Sequence, residues 1–181
     1  MSDFQLVYGS CAEQKADAVV NAANGYLWEG GGICGVIFQK AGSAELTKAC
    51  QKYKTPLRDG SAVITPAFQM RNAKAIIHAV GPDFRKTPKA LKELYDAYHN
   101  SLLVLKDNNY HSISFPLISS GIFAGNLADP AEKSTEQCCR AYQSFVKEYP
   151  EYEINVFLCA YTEREYVAAE RVFGEYFPGD N

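Results

Sequence analysis

Features that mark a membrane protein, a secreted protein or a metalloprotein are missing from this sequence. No apolar run approaches the ~20 residues needed to span a bilayer. The first ten residues, MSDFQLVYGS, contain neither a basic nor an apolar segment, so we expect no export and a cytoplasmic protein. The 6 cysteines form no CxxC pair and no cluster with the 3 histidines, so neither a zinc site nor a disulfide framework is indicated.

The charge balance offers no general attraction for anions. The chain carries 18 Lys and Arg residues against 21 Asp and Glu residues, a net charge of −3. A slightly acidic protein is a poor counter-ion for a nucleic-acid backbone, so nucleic acid is not an expected partner, and any phosphate must be bound locally. The length of 181 residues and the hydrophobic content of 47% fit one domain, residues 1–181, which we expect to be monomeric.

Short apolar segments alternate with segments of helical spacing along the chain. Strands that alternate with helices favour a mostly parallel sheet covered on both faces. The pairs Thr87-Pro88 and Asp129-Pro130 predict two helix starts, because a capping residue followed by proline suits the first turn. Strands are predicted at 4–8, 18–20, 62–65, 75–80, 112–117 and 154–160, and helices at about 33–41, 44–53, 87–106, 129–148 and 162–173.

Two loops rich in small residues follow strands of this predicted sheet. The first, Asn21 to Gly35, reads NAANGYLWEGGGICG, and the second runs from Ser119 to Gly125. In such sheets ligands bind outside the carboxyl ends of the strands. Unshielded backbone N–H groups beside a helix N-terminus suit a phosphate, so the two loops together are suited to a diphosphate. A plain glycine-rich surface connection is the alternative.

Other phosphate and nucleophile motifs do not fit. Gly30, Gly32 and Gly35 satisfy GxGxxG, but the preceding strand ends at Val20, and no acidic residue follows at the spacing that holds a ribose. No glycine-rich segment ends in Gly-Lys-Ser/Thr, and no GxSxG occurs. Cys34 has no evident histidine partner, so a cysteine nucleophile is not indicated.

Several segments form an ordered set that covers nearly the whole chain: DAVVNAAN at 17–24, Leu27, GGGICG at 30–35, IHAVGP at 77–82, SSGIF at 119–123 and VFLCAY at 156–161. This set resembles the signature of the macro domain, the ADP-ribose-binding module. The resemblance implies a three-layer α/β/α sandwich with a mostly parallel, mixed central sheet and ADP-ribose across the strand ends. It also implies the branch that removes mono-ADP-ribose from proteins, as in bacterial and coronaviral members.

The resemblance assigns roles to individual residues. It implies that the glycines border the distal ribose, that the second loop supplies amides to the diphosphate, and that Tyr161 stacks on adenine. Catalysis is assigned to Asn24, Gly32 and Phe123, with no metal and no cofactor. The residues expected to line ADP-ribose are Ser10, Cys11, Ala22, Asn24, Gly30, Gly31, Gly32, Ile33, Cys34, Ser119, Ser120, Gly121, Ile122, Phe123 and Tyr161.

These assignments have structural alternatives. The Asn24 amide offers the donor and the acceptor that suit a ribose diol, but an asparagine in a turn also often satisfies its own loop backbone. Phe123 is expected against the ribose, with a core position as the alternative. Tyr161 would otherwise be a surface residue at a strand end. Asn21 is expected to brace the loop, and His78 to be a hydrogen-bonded core histidine.

Two positions depart from the family pattern. Gly9-Ser10-Cys11 stands where many members have Gly-Asp-Ile, and a neutral Ser10 is a weaker acceptor for the adenine amino group. Cys34 replaces an aspartate that in many cellular members is assigned to activating water. A thiol is mostly protonated at neutral pH, although a helix N-terminus lowers its pKa, so we expect Cys34 to be a packing residue. Coronaviral members carry alanine here, which suggests catalysis by positioning.

The expected function is therefore hydrolysis of mono-ADP-ribose esters on acidic side chains of proteins, and also of O-acetyl-ADP-ribose. ADP-ribose and ADP-ribosylated proteins are the expected partners. The alternative is a module that binds ADP-ribose without turning it over, which the replacement of the aspartate by Cys34 keeps open. A weaker hypothesis is an unrelated nucleotide-binding α/β protein.

Overall fold

The computed structural model describes residues 1–179. One sheet contains six strands, β1 (Asp3–Tyr8), β2 (Ala18–Ala23), β3 (Ala62–Pro66), β4 (Ala75–Val80), β5 (Ser112–Pro116) and β6 (Asn155–Ala160). Their order across the sheet is β1-β6-β5-β2-β4-β3. Each neighbouring pair is parallel except β3 with β4, which is antiparallel. The predicted mixed, mostly parallel sheet is confirmed.

Helices cover both faces of the sheet. They are α1 (Gly32–Ala41), α2 (Ser43–Cys50), α3 (Leu91–Asp107), α4 (Pro130–Glu148) and α5 (Glu163–Tyr176), with two short 3-10 turns at Cys11–Glu13 and Ile122–Ala124. One buried cluster joins the sheet to α3, α4 and α5, and a second joins it to α1 and α2. The three-layer α/β/α sandwich is therefore confirmed.

The central strands are apolar because both of their faces are covered. In β2, Val20 packs in the cluster with α3 and α4, whereas its neighbour Val19 packs in the cluster with α1 and α2. Ile77 and Ile76 of β4 divide in the same way. Successive side chains of a strand point to opposite faces, so an unbroken apolar run is what a strand between two helical layers requires.

Of the two predicted helix starts, the one at Thr87 is wrong, and the one at Asp129-Pro130 is right although the Asp129 side chain does not cap the helix. Helix α3 begins at Leu91, because Thr87 lies in a turn in which its N–H and its hydroxyl both donate to the Asp83 carbonyl. Helix α4 begins at Pro130 as predicted. Asp129 precedes it with a left-handed φ of 51°, however, and its side chain makes no capping hydrogen bond.

Strands β2 and β5 are paired only where they begin. Their register contains two pairs, Ala18 with Ile113 and Val19 with Ser114, although β2 continues to Ala23. With β4, by contrast, β2 is paired along its whole length. The two strands β2 and β5 therefore separate toward their carboxyl ends.

The beginnings of β2 and β5 are held together by Asp17. Its Oδ2 accepts hydrogen bonds from the backbone N–H groups of His111, at 2.8 Å, and Ser112, at 3.2 Å. Its own N–H donates to the Ser112 hydroxyl at 2.7 Å. These bonds hold β2 and β5 together at their amino ends, whereas the strands separate at their carboxyl ends.

A wedge occupies the separation between the two strands. The buried Cys11 begins a 3-10 turn there, and its thiol donates to the Val20 carbonyl of β2 at 3.6 Å. Its carbonyl accepts from the Ser114 hydroxyl of β5 at 2.9 Å. The turn thus gives a donor to the Val20 carbonyl, which lies beyond the last pair with β5, and the Ser114 side chain gives one to the Cys11 carbonyl, as buried backbone groups require.

His78 of β4 is a hydrogen-bonded core histidine, as predicted. It is fully buried, with Nδ1 3.1 Å from Asn21 Nδ2 and Nε2 3.0 Å from the Thr65 hydroxyl. Because an amide nitrogen only donates, Nδ1 accepts and Nε2 carries the proton. Burial lowers the pKa of His78 to about 4, so the ring is neutral at pH 7.

This pKa predicts an acid-sensitive step in stability. A histidine titrates near pH 6.5 in the unfolded chain, so between about pH 6.5 and pH 4 the unfolded chain binds one more proton than the folded one. The free energy of unfolding should therefore fall by up to about 3 kcal/mol as the pH falls through this window, and His78→Gln should lack this component. Urea denaturation at several pH values measures it, and identical pH profiles for the two proteins would contradict the assignment.

Candidate functional site

The carboxyl ends of the five parallel strands lie along one edge of the sheet and carry the residues predicted to bind a ligand. Ser10 follows β1, Tyr161 follows β6, Ser119–Phe123 follow β5, and Asn24–Gly31 follow β2. Paired strands lie ~4.8 Å apart, and β5 and β2 are no longer paired at these ends, so the row from β1 to β2 spans more than about 14 Å. The structure thus places the four predicted segments side by side in this spatial order.

Asn24 holds the loop that follows β2. Its Oδ1 accepts from the N–H groups of Tyr26 and Trp28, both at 3.1 Å, and its Nδ2 donates to the Trp28 carbonyl at 2.9 Å. The loop turns back at Leu27, which has a φ of 59° and a buried side chain. Two accepted bonds occupy both lone pairs of Oδ1, but the second hydrogen of Nδ2 is still available as a donor.

Asn21 does not brace this loop, contrary to expectation. Strand β2 continues through Asn21 to Ala23, because these residues stay in register with β4 from His78 to Val80. The Asn21 side chain is consequently buried in the core, where Nδ2 donates to His78. Its Oδ1 has no hydrogen-bond partner among the described residues.

The three consecutive glycines form the start of α1. Gly31 caps the helix, and Gly32 adopts a left-handed φ of 58° that a side chain would strain. A Cβ on Gly31 or Gly32 would meet nothing within 4 Å, so open space faces this turn. A Cβ on Gly35 would lie 2.7 Å from the Gly30 carbonyl. The first N–H groups of α1 are left without helical partners, which gives the turn a partial positive charge.

The loop after β5 uses its hydroxyl groups internally and leaves amides free. Ser119, with a φ of 60°, donates its hydroxyl to the Pro82 carbonyl, and Ser120 donates its hydroxyl to the Leu117 carbonyl, each at 2.7 Å. Within residues 1–179, the N–H groups of Gly121 and Ile122 make no hydrogen bond. A Cβ on Gly121 would again meet nothing within 4 Å.

Phe123 is held from outside this loop by a residue that sequence reasoning missed. The Arg85 guanidinium lies 5.6 Å from the centre of the Phe123 ring. Two hydrogen bonds to Asp83, of 2.9 and 2.8 Å, fix the guanidinium and hold the pKa of the Asp83 carboxyl below its ordinary value. The Phe84 N–H donates to the Phe123 carbonyl at 2.7 Å. Arg85 and Phe123 are far apart in the sequence, so no local pattern signalled this contact.

The opposite end of the row is formed by Ser10, Cys11 and Tyr161. The Ser10 hydroxyl accepts from the Ala12 N–H at 3.2 Å and caps a 3-10 turn, which leaves it one lone pair for another donor. Cys11 was predicted to line the ligand, but the whole residue is buried and both its thiol and its carbonyl are bonded to the sheet, so the structure does not present its side chain to a ligand. Tyr161 is 73% exposed and directly follows β6, a position that leaves its ring accessible for stacking.

Cys34 is a packing residue, as predicted. It is buried in the first turns of α1, and its thiol donates to the Trp28 carbonyl at 3.6 Å. Burial raises the pKa of the thiol above its ordinary value, outweighing the bonds that favour the thiolate. A thiol that is protonated at neutral pH cannot take a proton from water.

Two kinds of feature are missing from residues 1–179. No helix there is long and apolar enough to cross a bilayer. In the same part of the chain, no group of at least three His, Cys, Asp or Glu side chains is arranged to hold a metal ion.

Known proteins resemble this chain in sequence and in fold. Residues 20–153 match the family model of the Macro domain. O-acetyl-ADP-ribose deacetylase of Salmonella typhimurium is 37% identical over 161 residues, 87% of each protein, and that of Cronobacter sakazakii is 35% identical over 94% of this chain and 93% of its own length. An Oceanobacillus iheyensis macrodomain solved with ADP has a TM-score of 0.83 and 32% identity, covering 95% and 90% of the two chains. A Trypanosoma brucei macrodomain in complex with ADP-ribose has a TM-score of 0.81 and 26% identity, covering 94% of this chain and 69% of its own.

The loops after β4 and β5 are in such close contact at Gly81 that a side chain there should destabilise the fold. A Cβ on Gly81 would lie 2.4 Å from Ile118 Cγ2 and 2.5 Å from Ser119 Oγ. Gly81→Ala should therefore lower the free energy of unfolding by about 1–3 kcal/mol, the usual cost of overpacking. Gly174→Ala is the control, because nothing lies within 4 Å of that position in α5 and alanine favours a helix. Denaturant titration compares them, and equal stability of the two variants would contradict the packing.

Proposed function

This chain belongs to the macro domain family, and we propose that it binds ADP-ribose along the carboxyl edge of its sheet. We further propose that it hydrolyses mono-ADP-ribose esters on acidic protein side chains, and O-acetyl-ADP-ribose, without a metal ion or a cofactor. The observation that carries the proposal is the order of the four segments. Ser10 and Tyr161 lie at one end, the free amides after β5 in the middle, and Asn24 with the glycine turn at the other end. Adenine, diphosphate and distal ribose follow one another in the same order.

Backbone amides account for binding of the diphosphate. The N-terminus of α1 and the N–H groups of Gly121 and Ile122 are free to donate, and Gly31, Gly32 and Gly121 leave space in front of them. Amides arranged in this way bind anions without a basic side chain. That property suits a chain whose net charge is −3.

Catalysis in this proposal depends on positioning. The available Nδ2 hydrogen of Asn24 donates to a hydroxyl of the distal ribose, and Phe123, held by Arg85, supports the sugar. Water forms a bond to the anomeric carbon while the ester C–O bond breaks and the side-chain carboxylate leaves. A carboxylate leaves without being protonated, so no general acid is required. The Cys34 thiol is protonated and cannot take the proton that the attacking water loses. That proton therefore passes to the departed carboxylate or to the ligand's own diphosphate.

One observation favours a second function, binding without turnover. The Asn24 side chain already makes three hydrogen bonds to its own loop. Cys34, which stands where many cellular members have an aspartate, is a protonated thiol and does not supply the missing negative charge. A protein of this kind would recognise ADP-ribose and leave the ester intact.

A hydrolysis assay separates the two functions. A target protein carrying ADP-ribose on glutamate should lose the label when incubated with the chain, and a chelator should not slow the loss. If the label is retained while calorimetry still detects ADP-ribose binding, the proposed hydrolysis is wrong and binding without turnover is the function. Absence of ADP-ribose binding would overturn both.

Replacement of Asn24 tests the assigned site. Asn24→Ala removes the proposed donor to the ribose, so turnover should fall by about 100-fold, while ADP-ribose affinity changes much less because the amides and Tyr161 remain. Asn108→Ala, an exposed position at the end of α3, is the matched control. Thermal denaturation shows whether the variants are folded. An unchanged rate in folded Asn24→Ala would remove the residue from the mechanism.

A further inference from the structure

Two aromatic rings stand in solvent beside Asn24 and have no part in the function proposed above. Tyr26 is 48% exposed and Trp28 is 66% exposed. Their rings are stacked, with centroids 4.6 Å apart and planes inclined by 16°. Exposed tryptophan and tyrosine side chains are typical of contact surfaces, where they contribute large apolar faces at a small entropic cost.

The stack is fixed relative to the site. Asn24 bonds to the N–H of Tyr26 and to both the N–H and the carbonyl of Trp28, while the buried thiol of Cys34 donates to the same carbonyl. Leu27, which lies between the two residues in the sequence, has a buried side chain. The backbone that carries the rings is therefore attached to the residue assigned to the distal ribose, so little ordering is needed before a partner binds.

The position of the stack determines which part of a substrate it can meet. Adenine is expected at Ser10 and Tyr161, which follow β1 and β6 and so lie on the far side of β5 from this loop. The ester is attached to the distal ribose, and the group that leaves extends away from the sugar at the end where Asn24 lies. An acetyl group is too small to cover two rings. A polypeptide that continues on both sides of a modified residue is large enough.

We propose that the Tyr26–Trp28 stack is the docking surface for the polypeptide segment that flanks the ADP-ribosylated residue. The inference rests on the proposed function, since it assumes that the distal ribose lies at Asn24. Proline rings, aliphatic side chains and arginine stems pack on flat aromatic faces, so contact here adds affinity for a modified protein that free ADP-ribose lacks. The stack thereby makes ADP-ribosylated protein, and not the free nucleotide, the preferred ligand.

Nucleic acid is the competing occupant, because single-stranded bases also stack on aromatic rings. The surroundings do not support it. Glu29 is exposed directly beside Trp28, and the whole chain has a net charge of −3, which disfavours a polyanionic backbone. An ADP-ribosylated oligonucleotide therefore belongs in the experiment as a comparison.

The test compares dissociation constants measured by calorimetry, so it does not depend on turnover. The ligands are free ADP-ribose and a peptide that carries ADP-ribose through a linkage that cannot be hydrolysed. The native protein should bind the peptide about 10-fold more tightly, a preference that one or two aromatic contacts can supply. In Trp28→Ala the ratio of the two constants should approach one, whereas Trp28→Phe should retain most of it.

A matched control and three outcomes make the test decisive. Phe68→Ala removes an exposed aromatic ring from the β3–β4 turn, at the opposite edge of the sheet, and should keep the native ratio. Three outcomes would each contradict the docking surface. Trp28→Ala could weaken the binding of both ligands equally, the native protein could show no preference for the peptide, or it could prefer the oligonucleotide to the peptide. Binding of ADP-ribose without peptide preference overturns this inference alone, and no binding of either ligand overturns the proposed function with it.

Discussion

The separation of β2 from β5 is the constraint on which the site depends. The strands are clamped at their beginnings by Asp17 and are unpaired beyond Val19, where Cys11 is wedged between them. The loops that leave their carboxyl ends are consequently kept apart, and the proposed ligand site lies between them. Continuous pairing would bring the glycine turn and the loop after β5 together and close that space.

The site is built mainly from backbone groups. At Gly35 and Gly81 the chain approaches so closely that a Cβ would collide, whereas at Gly31, Gly32 and Gly121 the missing side chain leaves open space. The first kind of glycine packs the loops, and the second exposes their amides. This division explains how a chain with a net charge of −3 can be suited to a diphosphate. Side chains are proposed to contact the ligand at the two ends of the row, where Asn24 and Tyr161 lie.

Local signals allowed much of this to be predicted. The apolar runs indicated a sheet covered on both faces, and the three glycines indicated the start of α1. Phosphate binding at that turn stays a prediction. Asn21 was misplaced because the polar run NAAN resembles a loop, whereas pairing with β4 carries the strand through it. Thr87 has the sequence features of a helix cap, but its bonds to the Asp83 carbonyl hold it in a turn before the helix. The contact of Arg85 with Phe123 joins residues distant in sequence, and no local pattern reports it.

The central claim is that backbone amides at the two loops bind the diphosphate, and nuclear magnetic resonance of the ¹⁵N-labelled protein tests it most directly. On titration with ADP-ribose, the largest shifts should occur at the amides of residues 31–34 and 119–122, with smaller shifts near Tyr161. The β3–β4 turn should be unaffected. Shifts concentrated outside these two loops, or none at saturating ligand, would contradict the account.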